Sequence, residues 1–372
     1  MDLIDTLGRE IGVRMGGTPA AARSADAIAD AFRELGLEPR FQPFQFLGYD
    51  PAEPELDVDG EPWPAGPSLY ADPTPDEGVE GLVRRIGTYT AIPGIFEAPM
   101  FVVEDEGGTE LARLFGNPHG GGAIPFPAGY APVLTGPTAV IATADVERLD
   151  ARAGAPVRLR TRGRFDPGRR DCNVIAELPG ESPETVVVGA HFDSVWRGPG
   201  VIDNATGVEG VRRIAERLVG RSHHRTLAFV AFAAEEYGLI GSRYYVDEAN
   251  TRGELDRIVG VVNLDCIAHG ERLELMVGPD ALRDRLVELA RALGLADRYP
   301  VAVEGPDPGT DHYHFAQASV PAASVLFFPY PEYHLPAERA ELVDEGRLAD
   351  AVELAAALVE SLLADPVARE PR

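Results

Sequence analysis

The sequence contains no lysine: all 34 basic residues are arginines, and against 60 aspartates and glutamates they leave a formal net charge of −26. A surface so acidic repels nucleic acid and anionic membranes, which excludes both as expected partners. Lysine absence beside abundant alanine, arginine and glycine fits GC-rich coding or adaptation to high salt, which the salt dependence of stability would separate. Cysteine is scarce as well. Cys172 and Cys266 can form at most one bridge, and their spacing is not that of a thiolate metal site, so buried, inert thiols are expected. No apolar run approaches the ~20 residues of a membrane span, and Met1-Asp2-Leu3-Ile4-Asp5 opens without the basic and apolar regions of a secretion signal. The expectation is a cytoplasmic chain, or a secreted one if a leader has been removed.

What is present is a chain of 372 residues, 45% hydrophobic, enough for a large domain and a smaller one. Thr18-Pro19 offers an N-cap with proline at the first helical position. Ile28, Phe32 and Leu35 then share one helix face before Gly36. From about Phe44 to Gly136 turn signals dominate: Pro62-Trp63-Pro64, Asn117-Pro118 and Gly120-Gly121-Gly122. Short β-like runs stand out at Gly81–Val83, Met100–Val103 and Thr138–Ala142. Structureless loops beyond ~15 residues are uncommon, so an inserted, mainly β subdomain over 46–167 is expected. From Asn173 strands alternate with helices: Asn173–Leu178, Thr185–Ala190, Thr226–Ala234, Ile258–Leu264 and Ala322–Phe328 read as strands. Helices are expected after Asp203 and over Leu282–Leu293 and Leu348–Leu363. The fold class that follows is α/β, a mostly parallel central sheet with helices on both faces, built from 1–45 and 168–372.

Open α/β sheets bind ligands outside the carboxyl ends of their strands, which is where His191, Glu235, Glu236 and Asp265 fall. His191 ends an apolar run without alternation, as in a strand covered on both faces. Its imidazole would ligate zinc while Asp193 accepts the other ring N–H. Asp203 precedes a helix, where an ordinary N-cap is the bland alternative. Adjacent strand residues point to opposite faces, so Glu235 and Glu236 share a cleft only if the chain leaves the pleat, for which Tyr237-Gly238 is a plausible turn. One glutamate would then bind metal and the other act as a base. Four crowded carboxylates repel, and two divalent cations would offset three ligand carboxylates and a bound hydroxide. Two-metal chemistry, with ions ~3.5–4 Å apart, then activates a water against a carbonyl.

The ordered set His191-x-Asp193-Ser194, Asp203-Asn204, Glu235-Glu236-Tyr237-Gly238-Leu239-Ile240-Gly241-Ser242, Asn263-x-Asp265, Thr310-Asp311-His312 and His334 closely resembles the di-zinc aminopeptidase family of metallopeptidases. That family includes glutamate carboxypeptidases and has glutaminyl cyclases as relatives. The resemblance covers the opening helix and roughly residue 170 to the end. It implies a zinc exopeptidase-like fold in which His191 and Asp265 hold one zinc, Glu236 and His334 the other, and Asp203 bridges them. It implies Glu235 as general base, Asp193 as partner of the first histidine, and Tyr333 as a group near the oxyanion. The sequence departs at Thr310, where serine is frequent, and at Glu338, where aspartate commonly follows the last histidine. The insertion is similar to the protease-associated domain of some members, with Thr138–Ala142, Asp145–Leu149 and Val157–Leu159 as closing segments. Such an insertion could wall the cleft and restrict substrates to short peptides.

Other features have blander readings. His223-His224 reads as a solvated pair and His119 as loop surface. His312 and His314 are either second-sphere groups or structural histidines, and Trp196 either lines a pocket or packs. Gly120–Gly122 lack the strand, helix and lysine of a phosphate loop. The expected function is an aminopeptidase acting on peptide substrates with two zinc ions, cobalt or manganese being able to take the same ligands. The alternatives are a carboxypeptidase or dipeptidase using Arg197 or Arg243 for a substrate carboxylate, a glutaminyl cyclase, and a non-catalytic binding module. The Gly238–Ser242 run resembles that of the peptidases, and none of the ligand positions is lost. The sequence leaves side-chain preference and oligomeric state open.

Overall fold

Val186, Val187, Val188 and Ala190 are all fully buried, the mark of a strand covered on both faces. In the computed structural model, which describes residues 2–92, 96–117 and 136–369, they form the strand Ser182–His191 near the middle of an eight-stranded sheet. The order across that sheet is Arg40–Asp50, Arg164–Leu178, Arg225–Phe232, Ser182–His191, Ile258–Leu264, Ala322–Phe328, Arg272–Gly278 and Val301–Glu304. The central four are mutually parallel, and antiparallel pairs occur at Arg164–Leu178 with Arg225–Phe232 and at Arg272–Gly278 with Ala322–Phe328. The expected mostly parallel α/β sheet is thus present, with these two antiparallel pairs. From Ser182–His191 the chain moves to the neighbour on one side and then to the neighbour on the other, which opens a crevice at the carboxyl ends of these strands.

Helices cover both faces. Gly260 lies against Leu362 of the helix Glu345–Ala364, while Val261, one residue on, joins Tyr245, Val246 and Phe315 of the helices Ile240–Thr251 and His312–Gln317. The opening helix, Pro19–Glu34, starts as the sequence indicates: Thr18 accepts a bond from the Ala21 N–H at 3.2 Å, and Ile28 and Phe32 are buried. Thr206–Leu218 buries Val208, Val211, Ile214 and Leu218. Strands Arg272–Gly278 and Val301–Glu304 and helix Ile240–Thr251 were not anticipated. Nor was Arg40–Asp50, although Gln42, Phe44 and Phe46 alternate with exposed neighbours as in a half-buried strand.

The chain divides into two compact units: Met1–Phe46, Arg170–Tyr330 and Pro336–Arg372, and then Leu47–Arg169 with Pro331–Leu335. The second is mainly β, an eight-stranded sheet with, among the described residues, the helix Thr143–Asp150, around a core of Leu56, Val58, Val83, Phe101, Val103, Leu114, Ile141 and Leu159. A two-residue turn joins its hairpin Glu55–Val58 to Glu61–Trp63. Asp59 (φ 57°) and Gly60 (φ 79°) both sit in the left-handed region, as the right-handed twist of a hairpin favours. Pro118, His119 and Gly120–Gly122 lie outside the described residues. Among the described residues no helix is long and apolar enough to cross a membrane.

Candidate metal centre

The site is built where three strands end. Gly189 pairs with Asn263, and His191 and Asp265 each stand two residues further on, so register brings them side by side. The neighbouring strand stops at Phe232, and Ala234 (φ 54°), Gly238 (φ 107°) and Leu239 (φ 59°) turn the chain sharply, so Glu235 and Glu236 leave the pleat together. Asp203 comes from the loop before helix Thr206–Leu218, with φ −109° and ψ 87° instead of helical values.

His191 Nε2 lies 3.0 Å from Asp203 Oδ1, 3.5 Å from Asp265 Oδ1 and 4.0 Å from Glu235 Oε2. Ligand atoms of His191, Asp203 and Glu236 fall within 4.8 Å of one another, as do those of His191, Glu235 and Asp265, and of Asp203, Asp265 and Cys266. All these groups are buried, none more than 5% exposed. Burial drives the Glu235 carboxyl well above the usual range; His191 opposes the rise, while Glu236, Asp311 and Asp265 add to it. Asp265 is raised by burial too, against His191. Burial alone would lower His191, but Glu235 and Asp265 carry it well above an ordinary histidine. So many carboxylates out of water around one imidazole fit a cation, and the donor set of imidazole nitrogen and carboxylate oxygen suits zinc.

Side chains around the cluster hold its main chain. Asp193 accepts from the N–H of Glu235 at 3.0 Å and of Glu236 at 3.3 Å, and its Oδ1 stands 3.6 Å from His191 Nδ1. Asn204 donates to the Leu264 carbonyl at 2.9 Å and accepts from the N–H of Cys266 at 3.2 Å and Gly207 at 2.9 Å, tying the Asp203 loop to the residues flanking Asp265. Glu338 Oε1 accepts from the N–H of Ile202 and of Asp203, each at 2.9 Å, and the Tyr330 hydroxyl donates to its Oε2 at 3.1 Å. The glutamate at that position thus serves the loop directly. The Arg14 guanidinium, fully buried, donates to main-chain carbonyls including that of Phe192; burial lowers it to about 10 while Asp193, Glu338, Asp203 and Glu236 oppose the fall.

Asp311 is the titratable neighbour that the sequence reading left without a role. Burial pushes its carboxyl up to about 7; His191 and the Ser242 hydroxyl hold it back, and Asp265 and Asp193 add to the rise. His312, buried and bonded through Nδ1 to the Thr310 hydroxyl at 2.6 Å, is held neutral by burial, which lowers it to about 3. His334 is buried, with φ 60°, and its ring stacks on Tyr333 at 3.7 Å within Pro331–Leu335, a segment grouped with the second unit. The Arg197 guanidinium lies 4.3 Å from the Trp196 ring, while Arg243 is exposed and pairs with Asp247 at 3.7 Å. His223 bonds the Leu218 carbonyl at 3.0 Å, and His224 is exposed. Both cysteines are free thiols; Cys266 is buried and donates to Asp265 at 3.4 Å, and Cys172 is half-buried.

Residues 173–359 match the family model for peptidase family M28. The aminopeptidase YwaD of Bacillus subtilis is 26% identical over 96% of this chain and 82% of its own length. Leucine aminopeptidase 2 of Arthroderma otae is 36% identical over 35% of the chain, which spans only 27% of that longer relative. Among solved structures, BSAP, a zinc aminopeptidase from Bacillus subtilis, superposes with a TM-score of 0.72 at 22% identity, covering 96% of this chain and 93% of its own.

Proposed function

The chain belongs to peptidase family M28, a family of metallopeptidases, and from that premise we propose that it is an aminopeptidase that removes N-terminal residues from peptides at a two-zinc site. The observation that carries the proposal is the buried cluster in which His191 Nε2 stands 3.0 Å from Asp203 and 3.5 Å from Asp265, with Glu235 and Glu236 turned into the same crevice. In this reading His191, Asp203, Glu236 and Asp265 are metal ligands. His334 is the fifth ligand and Tyr333 an oxyanion group, both on the strength of motif order alone. Zinc bound by these side chains would supply Lewis acidity, polarising a carbonyl and making water a stronger acid.

Glu235 takes the proton of the attacking water and delivers it to the leaving amine, a task suited to a carboxyl that burial holds above its ordinary range. Asp193, by accepting from the N–H groups of Glu235 and Glu236, fixes where both carboxylates begin. The carboxyls outside the proposed ligand set, Glu235 and Asp311, are left to attract a free α-ammonium on the substrate. A carboxypeptidase would instead need a cation for the substrate's C-terminus, and Arg243 is spent on Asp247 at the surface. The inserted residues 46–167 are proposed as a protease-associated-like unit, the ligands as able to take cobalt or manganese, and the partner as a peptide substrate.

The test combines metal content with hydrolysis of free and N-blocked dipeptides by wild type and Glu235→Gln. Two metals per chain, cleavage confined to free amines, and a 10²–10⁴-fold loss in kcat with metal retained are expected. Cleavage of N-blocked substrates alone would overturn the aminopeptidase assignment, and an active Glu235→Gln would overturn the base.

A further inference from the structure

We infer that Arg14, distant in sequence from every catalytic motif, is a positioning residue that sets the separation of His191 and Asp203 by clamping the loop between them. Arg14 follows the short π-helix Asp5–Ile11 and is 0% exposed. Its Nε donates to the Phe192 carbonyl, Nη1 to Pro199 at 2.6 Å, Gly12 at 3.2 Å and Leu7 at 3.3 Å, and Nη2 to Gly200 at 2.6 Å. Its own N–H donates to the Ser194 hydroxyl at 3.0 Å. Three of these side-chain bonds go to main-chain carbonyls at the two ends of Phe192–Gly200, the loop that leaves His191 and leads to Asp203, and two tie the guanidinium to Leu7 and Gly12.

Burial lowers the Arg14 guanidinium, and Asp193, Glu338, Asp203 and Glu236 are the anions that oppose the fall. The clamp is two-sided. Arg14 holds the loop by its carbonyls, and Glu338 holds Ile202 and Asp203, two and three residues beyond Gly200, by their N–H groups at 2.9 Å. The loop has little room to relax between them. Gly200 has φ 61°, and a Cβ there would stand 2.5 Å from Ser194 Cβ and 2.7 Å from the Asp203 carbonyl oxygen. A lysine could replace the charge but not the planar fork of donors that spans carbonyls eight residues apart.

This inference rests on the metal-site reading, and the experiment separates the two. Zinc affinity of wild type and Arg14→Lys is measured by competition with a chromophoric chelator, alongside the visible spectrum of the cobalt-substituted proteins and thermal unfolding of the metal-free ones. Arg14→Lys is expected to bind zinc roughly 10–100-fold more weakly, the range for outer partners of metal ligands, with shifted cobalt bands. A merely structural arginine would lower metal-free stability and leave affinity and spectrum as in wild type; that result overturns the inference. Ser194→Ala, which removes the bond from the Arg14 N–H and the long 3.5 Å bond from the Ser194 hydroxyl to the Val195 carbonyl, gives the same comparison with a smaller loss should Arg14→Lys not fold. If Ser194→Ala also matched wild type, the inference would fall. Wild type that binds no metal would overturn the site reading, and the inference with it.

Discussion

Asp193→Asn changes one oxygen to an amide nitrogen and should have large effects, because two donors converge on this side chain. Its two oxygens accept from the N–H of Glu235 at 3.0 Å and of Glu236 at 3.3 Å in a fully buried position. An amide has one acceptor atom, so one N–H loses a charge-assisted bond worth about 1.5–3 kcal/mol and, left facing an NH2 group, adds about 1–3 kcal/mol as a buried orphan. The expected cost is about 3–5 kcal/mol. At roughly 2–4 °C per kcal/mol for a domain of this size, Tm falls by about 10 °C. Scanning calorimetry with saturating zinc is the assay, since compensated carboxylates gain little from the lost charge. The two glutamates also lose their anchor, so kcat falls beyond what the folded fraction explains. A Tm within about 2 °C of wild type and an unchanged kcat would refute the reasoning, because the Asp193 bonds would then not set the Glu235–Glu236 turn.

Chelation should invert the pH profile of stability: Asp311 (about 7 in the fold), Glu235, Asp265 and His191 are all raised, so the folded state holds protons that the unfolded chain releases. Their contribution is complete below about pH 4 and is lost as pH rises toward and through 7, a fall of several kcal/mol in urea titrations that zinc should abolish; a metal-free protein equally stable at pH 5 and 8 would contradict it. Gly189→Val places carbon where a Cβ would already be 2.4 Å from the Phe232 ring, so a loss of about 1–3 kcal/mol is expected by urea unfolding, and an unchanged midpoint would show that the ring has room to move. Thr18→Ala removes the N-cap of Pro19–Glu34 and should cost about 1 kcal/mol with kcat/KM unaltered; a change in kcat/KM would mean that the helix start communicates with the site.

The central strands of the sheet were legible because they are predominantly apolar runs, and the ends of three of them could be read because His191, Glu235-Glu236 and Asp265 follow within a few residues. His191 and Asp265 meet by register, which the runs Val186–Ala190 and Ile258–Leu264 already imply. Strands Arg272–Gly278 and Val301–Glu304 escaped notice because one mixes charge into its run and the other is four residues long, too short for a periodic signal. In the insertion, Asp59-Gly60 carried a hairpin signal that became readable only with its flanking strands paired.

Sequence alone therefore determined the fold class and the set of residues brought to the strand ends, since both follow from local pattern and chain order. The tertiary structure decided how those residues are held. Arg14 and Glu338 act through main-chain groups far along the chain, and Asp311 owes its raised carboxyl to burial beside charges from other strands. A carbonyl or an N–H carries no mark of side-chain identity, and desolvation exists only once the chain has closed around a group, so neither could be written in any local motif.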